Sequence, residues 1–151
     1  MANRVERCLT DELLPLLKGE RFVTLSTVDW ETGAPIVRAI SWVFAPANDR
    51  VRMAVDNRSR IVANVKKTPA VTLLLVGNGS AYSISGHATI VEESLDNVPL
   101  KLALIEMNIH EVRDVMFYGA KIVSEPMYDK TYDEEAAAKL DGQVMAALQQ
   151  A

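Results

Sequence analysis

The chain has 151 residues, of which 49% are hydrophobic and 24% charged, with a net charge of -4; this suits one domain able to bury a sizeable core without covalent staples. Such a charge leaves no basic stripe to neutralise several phosphates at once, which argues against a nucleic-acid binder. Cys8 is the lone cysteine, which excludes an internal disulfide and a multi-cysteine metal site. No apolar run approaches the ~18–20 residues of a membrane span, and the N-terminal stretch lacks the apolar segment of a signal peptide, so a cytoplasmic protein is expected.

The first predicted element is a short helix. Leu9, Leu13, Leu14, Leu16 and Leu17 form an apolar stripe near helical period, Thr10 or Asp11 can cap it, and Gly19 follows as a stop. From Phe22 to Val28 the period changes to two and β-branched residues dominate, which predicts a strand bounded by the loop DWETGAP. A second strand is predicted from Ile36 to Phe44. Alternation places Ile36, Arg38, Ile40, Trp42 and Phe44 on one face of it. Burying an unpartnered guanidinium costs several kcal/mol, so Arg38 must reach solvent, pair with a carboxylate such as Asp56, or hold a bound anion.

The stretch from Val51 to Leu75 reads as strand, turn, short helix and strand. Val51, Met53 and Val55 alternate, and Asp56-Asn57-Arg58-Ser59 supplies turn and cap chemistry. Ile61, Val62 and Val65 share a helical face, and Pro69 ends the helix after two or three turns. A helix N-terminus offers unpaired N–H groups and the positive end of a dipole, and Arg58, Ser59 and Arg60 stand there. An antiparallel return of Val51–Val55 after the turn Pro46–Asp49 would bring Arg38 close to Arg58 and Arg60. Converging arginines repel one another unless an anion sits between them, and a phosphate suits their planar forks.

Strands are expected over Ala70–Val76 and Ala81–Val91, joined by the hairpin signal Gly77-Asn78-Gly79-Ser80. Gly86, in mid-strand, marks a bulge, a bend or a close backbone approach. A sheet of five or six antiparallel strands with such bends would close as a small barrel. Beyond it the reading turns helical: a helix opened by Asn97 and Pro99 with Leu100, Ala103, Leu104 and Met107, then a shorter one around Val112, Val115 and Met116. Ala120–Glu125 could add a last strand. Thr131-Tyr132-Asp133-Glu134 is a capping-box pattern for a C-terminal helix with Ala137, Leu140, Val144 and Leu148 on one side. The expected organisation is one domain over residues 1–151, with a barrel core at about 21–93 plus 119–125 and a helix at about 133–149. His87 and His110 lie far apart without metal-ligand spacing, and no nucleotide-loop, zinc-protease or nucleophile-elbow motif occurs, so no metal site is expected and chemistry must come largely from a cofactor.

Three segments together, PIVRAISWVF, MAVDNRSRIVANVKKTPAVTLLL and SISGHATIVEE, resemble the core of the pyridoxamine 5'-phosphate oxidase-like family of FMN-binding split barrels, from about Phe22 to Glu93. In that resemblance Arg38 falls on the phosphate-binding arginine of the RMVLLK segment, Ser59 and Arg60 fall on SRK, and Gly86 matches the glycine of the fifth strand. The lysine ending RMVLLK is here Val43 or Phe44, the lysine of SRK is Ile61, and the YTN segment is Ala54-Val55-Asp56. The resemblance implies an α+β fold, mainly β, built on a small antiparallel split barrel with flanking helices. It also implies FMN as cofactor and a homodimer with sites at the subunit interface. The residues implied to bind the cofactor are Arg38, Ile40, Trp42, Val55, Asp56, Ser59 and Arg60. The implied activity is an FMN-dependent oxidoreductase passing hydride to or from a small substrate; the alternative is a non-catalytic flavin carrier or sensor, or a haem- or deazaflavin-binding relative.

Overall fold

A computed structural model describes residues 5–151. In chain order it contains β1 (Val5–Glu6), a 3-10 turn (Leu14–Leu17), β2 (Val23–Val28), β3 (Pro35–Ile40), β4 (Val43–Ala47), β5 (Arg50–Asp56), α1 (Arg60–Lys67), β6 (Ala70–Gly77), β7 (Ser80–Glu92), β8 (Leu102–Asp114) and α2 (Glu134–Gln150). The strands form one eight-stranded sheet in the order β3-β2-β6-β7-β8-β5-β4, with β1 added beside β8. Every pairing is antiparallel. The two ends of that order, β3 and β4, are consecutive in the chain, so the sheet curls into a split barrel whose edges meet at Ser41–Trp42. Among the described residues no helix is long and apolar enough to cross a membrane.

The barrel interior is filled from alternate positions of each strand: Val23 and Leu25, Val43 and Ala45, Val51 and Met53, Leu73 and Leu75, and Ile105 and Met107 are all buried. Leu9, Leu13 and Leu17 plug one end, and Ile61, Val62 and Val65 of α1 cover another part of the same core. A second core forms outside the barrel, where Val144 and Leu148 of α2 pack on Ala54, Leu102 and Leu104 with Trp42 and Phe44 beside them. The α2 N-terminus is capped by Asp133, whose carboxylate accepts from the Ala136 N–H at 2.9 Å. At its other end Arg52 donates to the Leu148 carbonyl at 2.9 Å, a cation where the helix dipole favours one.

Four sequence expectations change. The N-terminal helix is only a turn followed by Leu14–Leu17, because Pro15 lacks an N–H and its ring blocks continuation from the preceding turn. The strand from Ile36 to Phe44 is broken at Ser41 and Trp42 into β3 and β4. The helices expected around Leu100–Met116 are instead β8, as long as β7 at 13 residues, which pairs with β5, β7 and β1. Its Leu102 and Leu104 face α2 while Ala103, Ile105 and Met107 face the barrel. Burial on both faces removes the polar alternation that identifies a strand, and the run then mimics a helical stripe. Finally, residues 120–125 form no strand; Ile122 only donates to the Gly79 carbonyl at 2.7 Å.

Gly86 marks both a bulge and a close approach. The register of β7 with β8 shifts between Ser85↔Glu111 and Gly86↔Ile109, which leaves His110 as the extra residue. A Cβ on Gly86 would lie 1.9 Å from the Asn108 carbonyl oxygen. Backbone cannot yield there as a flexible side chain would. Gly86→Ala is therefore expected to lower unfolding stability by about 1–3 kcal/mol or more in urea titrations.

The loop between β2 and β3 is built on the buried Asp29. Its carboxylate accepts from the N–H groups of Glu31 and Thr32 and the Thr32 hydroxyl, at 2.9–3.1 Å, and from Arg60 Nε and Nη2 at 3.1 and 2.8 Å. Asn64, fully buried on α1, holds the same loop by donating to Thr27 Oγ1 and accepting from the Trp30 N–H. The Thr32 N–H first, and then Arg60, hold the Asp29 carboxyl down to about 2 from an ordinary 3.8. Stability from this depressed group is full above about 3.8 and is lost as pH falls through about 2. Asp29→Asn is thus expected to destabilise the protein at pH 7, with the gap to the parent narrowing as pH falls from about 4 to about 2 in urea unfolding series.

Candidate functional site

The break at Ser41–Trp42 creates the cleft. Up to that point β3 pairs with β2, Leu25 opposite Arg38; after it β4 pairs with β5, Val43 opposite Met53. The Ser41 carbonyl accepts from both Arg21 and Val43 N–H groups at 3.0 Å, and the Trp42 carbonyl takes the Ala54 N–H at 3.1 Å. The Val43 bond spans only two residues and turns the chain sharply. Beyond Ala54 the edge of β5 has no β4 neighbour, and β3 diverges from it. The opening is a cleft of about 380 Å³ lined by Arg38, Ile40, Trp42, Val55, Asp56 and Ser59, together with Ala39, Ser41, Ala54, Ile61, Lys130 and Tyr132. That volume is within the roughly 300–1,000 Å³ of small-molecule sites.

Thus six residues singled out from the sequence, Arg38, Ile40, Trp42, Val55, Asp56 and Ser59, come together, and Arg60 does not join them. The guanidinium of Arg60 is turned to Asp29 and to Glu31, the latter at 2.7 Å, and these carboxylates hold it above its ordinary pKa, with Glu31 the larger influence. Arg58 lies 3.6 Å from its neighbour Asp56 and is largely solvent-exposed. The predicted convergence of three arginines fails because β3 pairs with β2 and not with β5, and because two carboxylates of the β2–β3 loop compete for Arg60. Arg38 alone of the three lines the cleft, exposed and with no carboxylate partner among the described residues. Trp42 also leaves the face expected for it. Past the break its ring turns toward α2, where Nε1 donates to Asp141 Oδ1 at 2.9 Å, while Ile40 packs on the barrel core.

Beside Arg38 stands the start of α1. Ser59 is its N-cap, with Oγ accepting the Ile61 N–H at 3.2 Å, and no acidic residue occupies the first turn. The positive end of the dipole is therefore not neutralised from within the helix. The far wall was hidden from sequence reasoning. Lys130 comes from the irregular segment before α2, about which no periodicity or motif gave a signal, and its Nζ is held by Glu20 at 2.9 Å and Asp141 at 3.1 Å. Burial works against the charge on Lys130, but its bonds to Glu20 and Asp141 outweigh it and raise its pKa. For Asp141, burial is likewise outweighed by the bonds from Trp42 and Lys130, and the carboxyl is held low. A smaller cavity of about 170 Å³ is lined by Glu6, Glu12 and Asp114 with Thr10, Leu13, Tyr82 and Val112; its carboxylates disfavour an anion.

The profile of the family described as pyridoxamine 5'-phosphate oxidase matches residues 9–116. Among solved structures the chain is similar to a candidate pyridoxamine 5'-phosphate oxidase of Lactobacillus delbrueckii, with 20% identity and a TM-score of 0.59 over 71% of this chain and 98% of that one. It is similar to an FMN-binding protein of Syntrophomonas wolfei, with 20% identity and a TM-score of 0.51 over 70% and 88% of the two chains. An F420 reductase superposes with a TM-score of 0.57 at 16% identity, over 69% of this chain and 98% of that one. At these identities the likeness shows the fold alone. Among curated protein sequences none matches the chain. The profile match spans the barrel from the Leu9 plug to the end of β8, and by it the chain belongs to the pyridoxamine 5'-phosphate oxidase family.

Proposed function

We propose that the cleft binds FMN and that the protein is an FMN-dependent oxidoreductase acting on a small substrate. The observation that carries this reading is Arg38, an unpaired guanidinium beside the uncompensated N-terminus of α1, at one end of a cleft whose other walls are Ile40, Trp42 and Val55. Cation, helix terminus and apolar wall fit a group with a phosphate at one end and a flat ring at the other. Arg38 would hold the phosphate together with the first-turn amides and Ser59. Arg60 would act only through its place in that first turn, since its guanidinium is committed to Asp29 and Glu31. When bound, FMN supplies hydride transfer; the chain supplies binding and orientation. The FMN-binding relative supports the cofactor.

A non-catalytic flavin carrier or sensor is the second reading. It is favoured by one observation: no histidine lines the cleft, and its one lysine, Lys130, is tied to two carboxylates. A haem or deazaflavin ligand would be distinguished from FMN by the absorption spectrum of the loaded protein. We further propose that a second copy closes the cleft, giving a homodimer with two sites at the interface. The outer face of β3, β2 and β6 supports it: Val37, Ala39, Thr24, Ser26, Thr72 and Leu74 carry no charge there, and Val37 is 60% exposed.

Arg38→Ala is expected to weaken FMN binding about ten- to a hundredfold, with riboflavin binding nearly unchanged because riboflavin has the same ring and no phosphate. Arg60→Ala is expected to leave the ratio of the two affinities as in the parent. Equal losses for FMN and riboflavin in Arg38→Ala would refute the phosphate assignment. Sedimentation at micromolar concentration is expected to give twice the 16.6 kDa chain mass; a clean monomer would remove the interface site.

A further inference from the structure

The two histidines, remote in sequence, are neighbours in space. His87 Nδ1 and His110 Nε2 lie 3.0 Å apart, with ring centroids at 4.5 Å and the rings nearly perpendicular at 84°. The β7–β8 bulge produces this pair: Gly86 lets the strands approach, the register slips by one, and the extra residue, His110, is carried to the side of His87. Bulges re-aim side chains in this way. Both rings are exposed, so neither is spent on core packing. Neither belongs to the cleft lining, and the charges around them are paired elsewhere: Glu111 with Arg113 at 2.7 Å, Glu106 with Arg52 at 3.2 Å, and Lys66 with Glu93 at 2.8 Å.

We propose that His87 and His110 form a bidentate surface site for a divalent transition metal, Cu2+ or Ni2+ by preference. Neutral imidazoles are ready ligands for such ions. With metal–nitrogen bonds of about 2.0–2.1 Å, a nitrogen separation of 3.0 Å corresponds to an angle at the metal of about 95°. This is close to the angle between adjacent positions of a square-planar or octahedral ion. At present the two nitrogens share a hydrogen bond; on metal binding the shared proton shifts to the other nitrogen of its ring, and small rotations of the exposed rings aim both freed lone pairs at the ion. Among the described residues no cluster of three or more histidine, cysteine, aspartate or glutamate side chains could hold a metal. Water or a small ligand therefore fills the other positions, and the ion is exchangeable.

The test is a calorimetric titration of Cu2+ into the tag-free 151-residue chain, with the Cu2+ electron paramagnetic resonance spectrum recorded at one equivalent. One saturable site with splitting from two imidazole nitrogens is expected. His87→Ala and His110→Ala should each weaken it by about a hundredfold, the loss of a chelate partner held at high effective concentration, while circular dichroism melting is unchanged. The proposal is overturned by the absence of saturable binding, by a spectrum without two imidazoles, or by parent-like affinity in the double variant.

Discussion

The molecule depends on a parting of backbone hydrogen bonds at Ser41 and Trp42. A strand can be paired along its length to one neighbour or handed from one to another, and here β3 belongs to β2 while its continuation, β4, belongs to β5. The handover closes the curled sheet on itself covalently and satisfies the turn through Arg21, Val43 and Ala54 N–H groups. It also leaves the last residues of β5 without an outer neighbour. An exposed strand end in an apolar setting is a liability unless something covers it, and the cleft is the place where a ligand could do so. Cleft and barrel are two results of one backbone event.

Charge is distributed around that opening with little redundancy. Lys130, Glu20 and Asp141 satisfy one another, and Asp141 also fixes the indole of Trp42. Arg52 secures the end of α2 and Glu106 together. Arg60 is consumed by the β2–β3 loop, where it joins α1 to Asp29. Isolated exposed pairs of this kind contribute little to stability; those involving buried partners such as Asp29 decide where side chains cannot go. Arg38 is left as the cleft's uncommitted cation: among the described residues it has no carboxylate partner, and Asp56, the acidic residue that shares the cleft lining, lies by Arg58.

The barrel strands up to β7 were largely legible, because Val23–Val28 and Ile84–Ile90 alternate between a buried and a more exposed face, and Val51, Met53 and Val55 alternate as large apolar side chains even though Ala54 between them is also buried. The start of α1 was legible for the same reason: Ser59 caps, Pro69 stops, and a clear apolar face lies between. What failed was whatever depended on distant partners. β8 has α2 on one side and the barrel on the other, so its residues carry no alternation, and only the downstream neighbours Val144 and Leu148 explain Leu102 and Leu104. Pairing choice was equally invisible: the hairpin rule joins β4 to β5 but cannot say that β3 deserts them. Six of the residues named from the sequence nonetheless line one cleft, because β3, the break after it, the end of β5 and the α1 cap all border it. Lys130 and Tyr132 could not be named, because the pattern at Thr131–Glu134 signals only the start of a helix and not where the segment before it lies.

The position of β8 also bears on how the chain acquires its structure during synthesis. Arg50 and Val51 wait for Asn108 and Met107, and β7 waits for the same strand. Before residue 114 has left the ribosome, β5 and β7 are open edges with apolar inner faces, and no barrel can close between them. Folding dominated by such distant pairings is slow and exposes sticky edges meanwhile. Until β8 emerges, the nascent chain can pair only as two pieces, β3-β2-β6-β7 and β4-β5, and the one strand that hydrogen-bonds to both is the last of the sheet to be made.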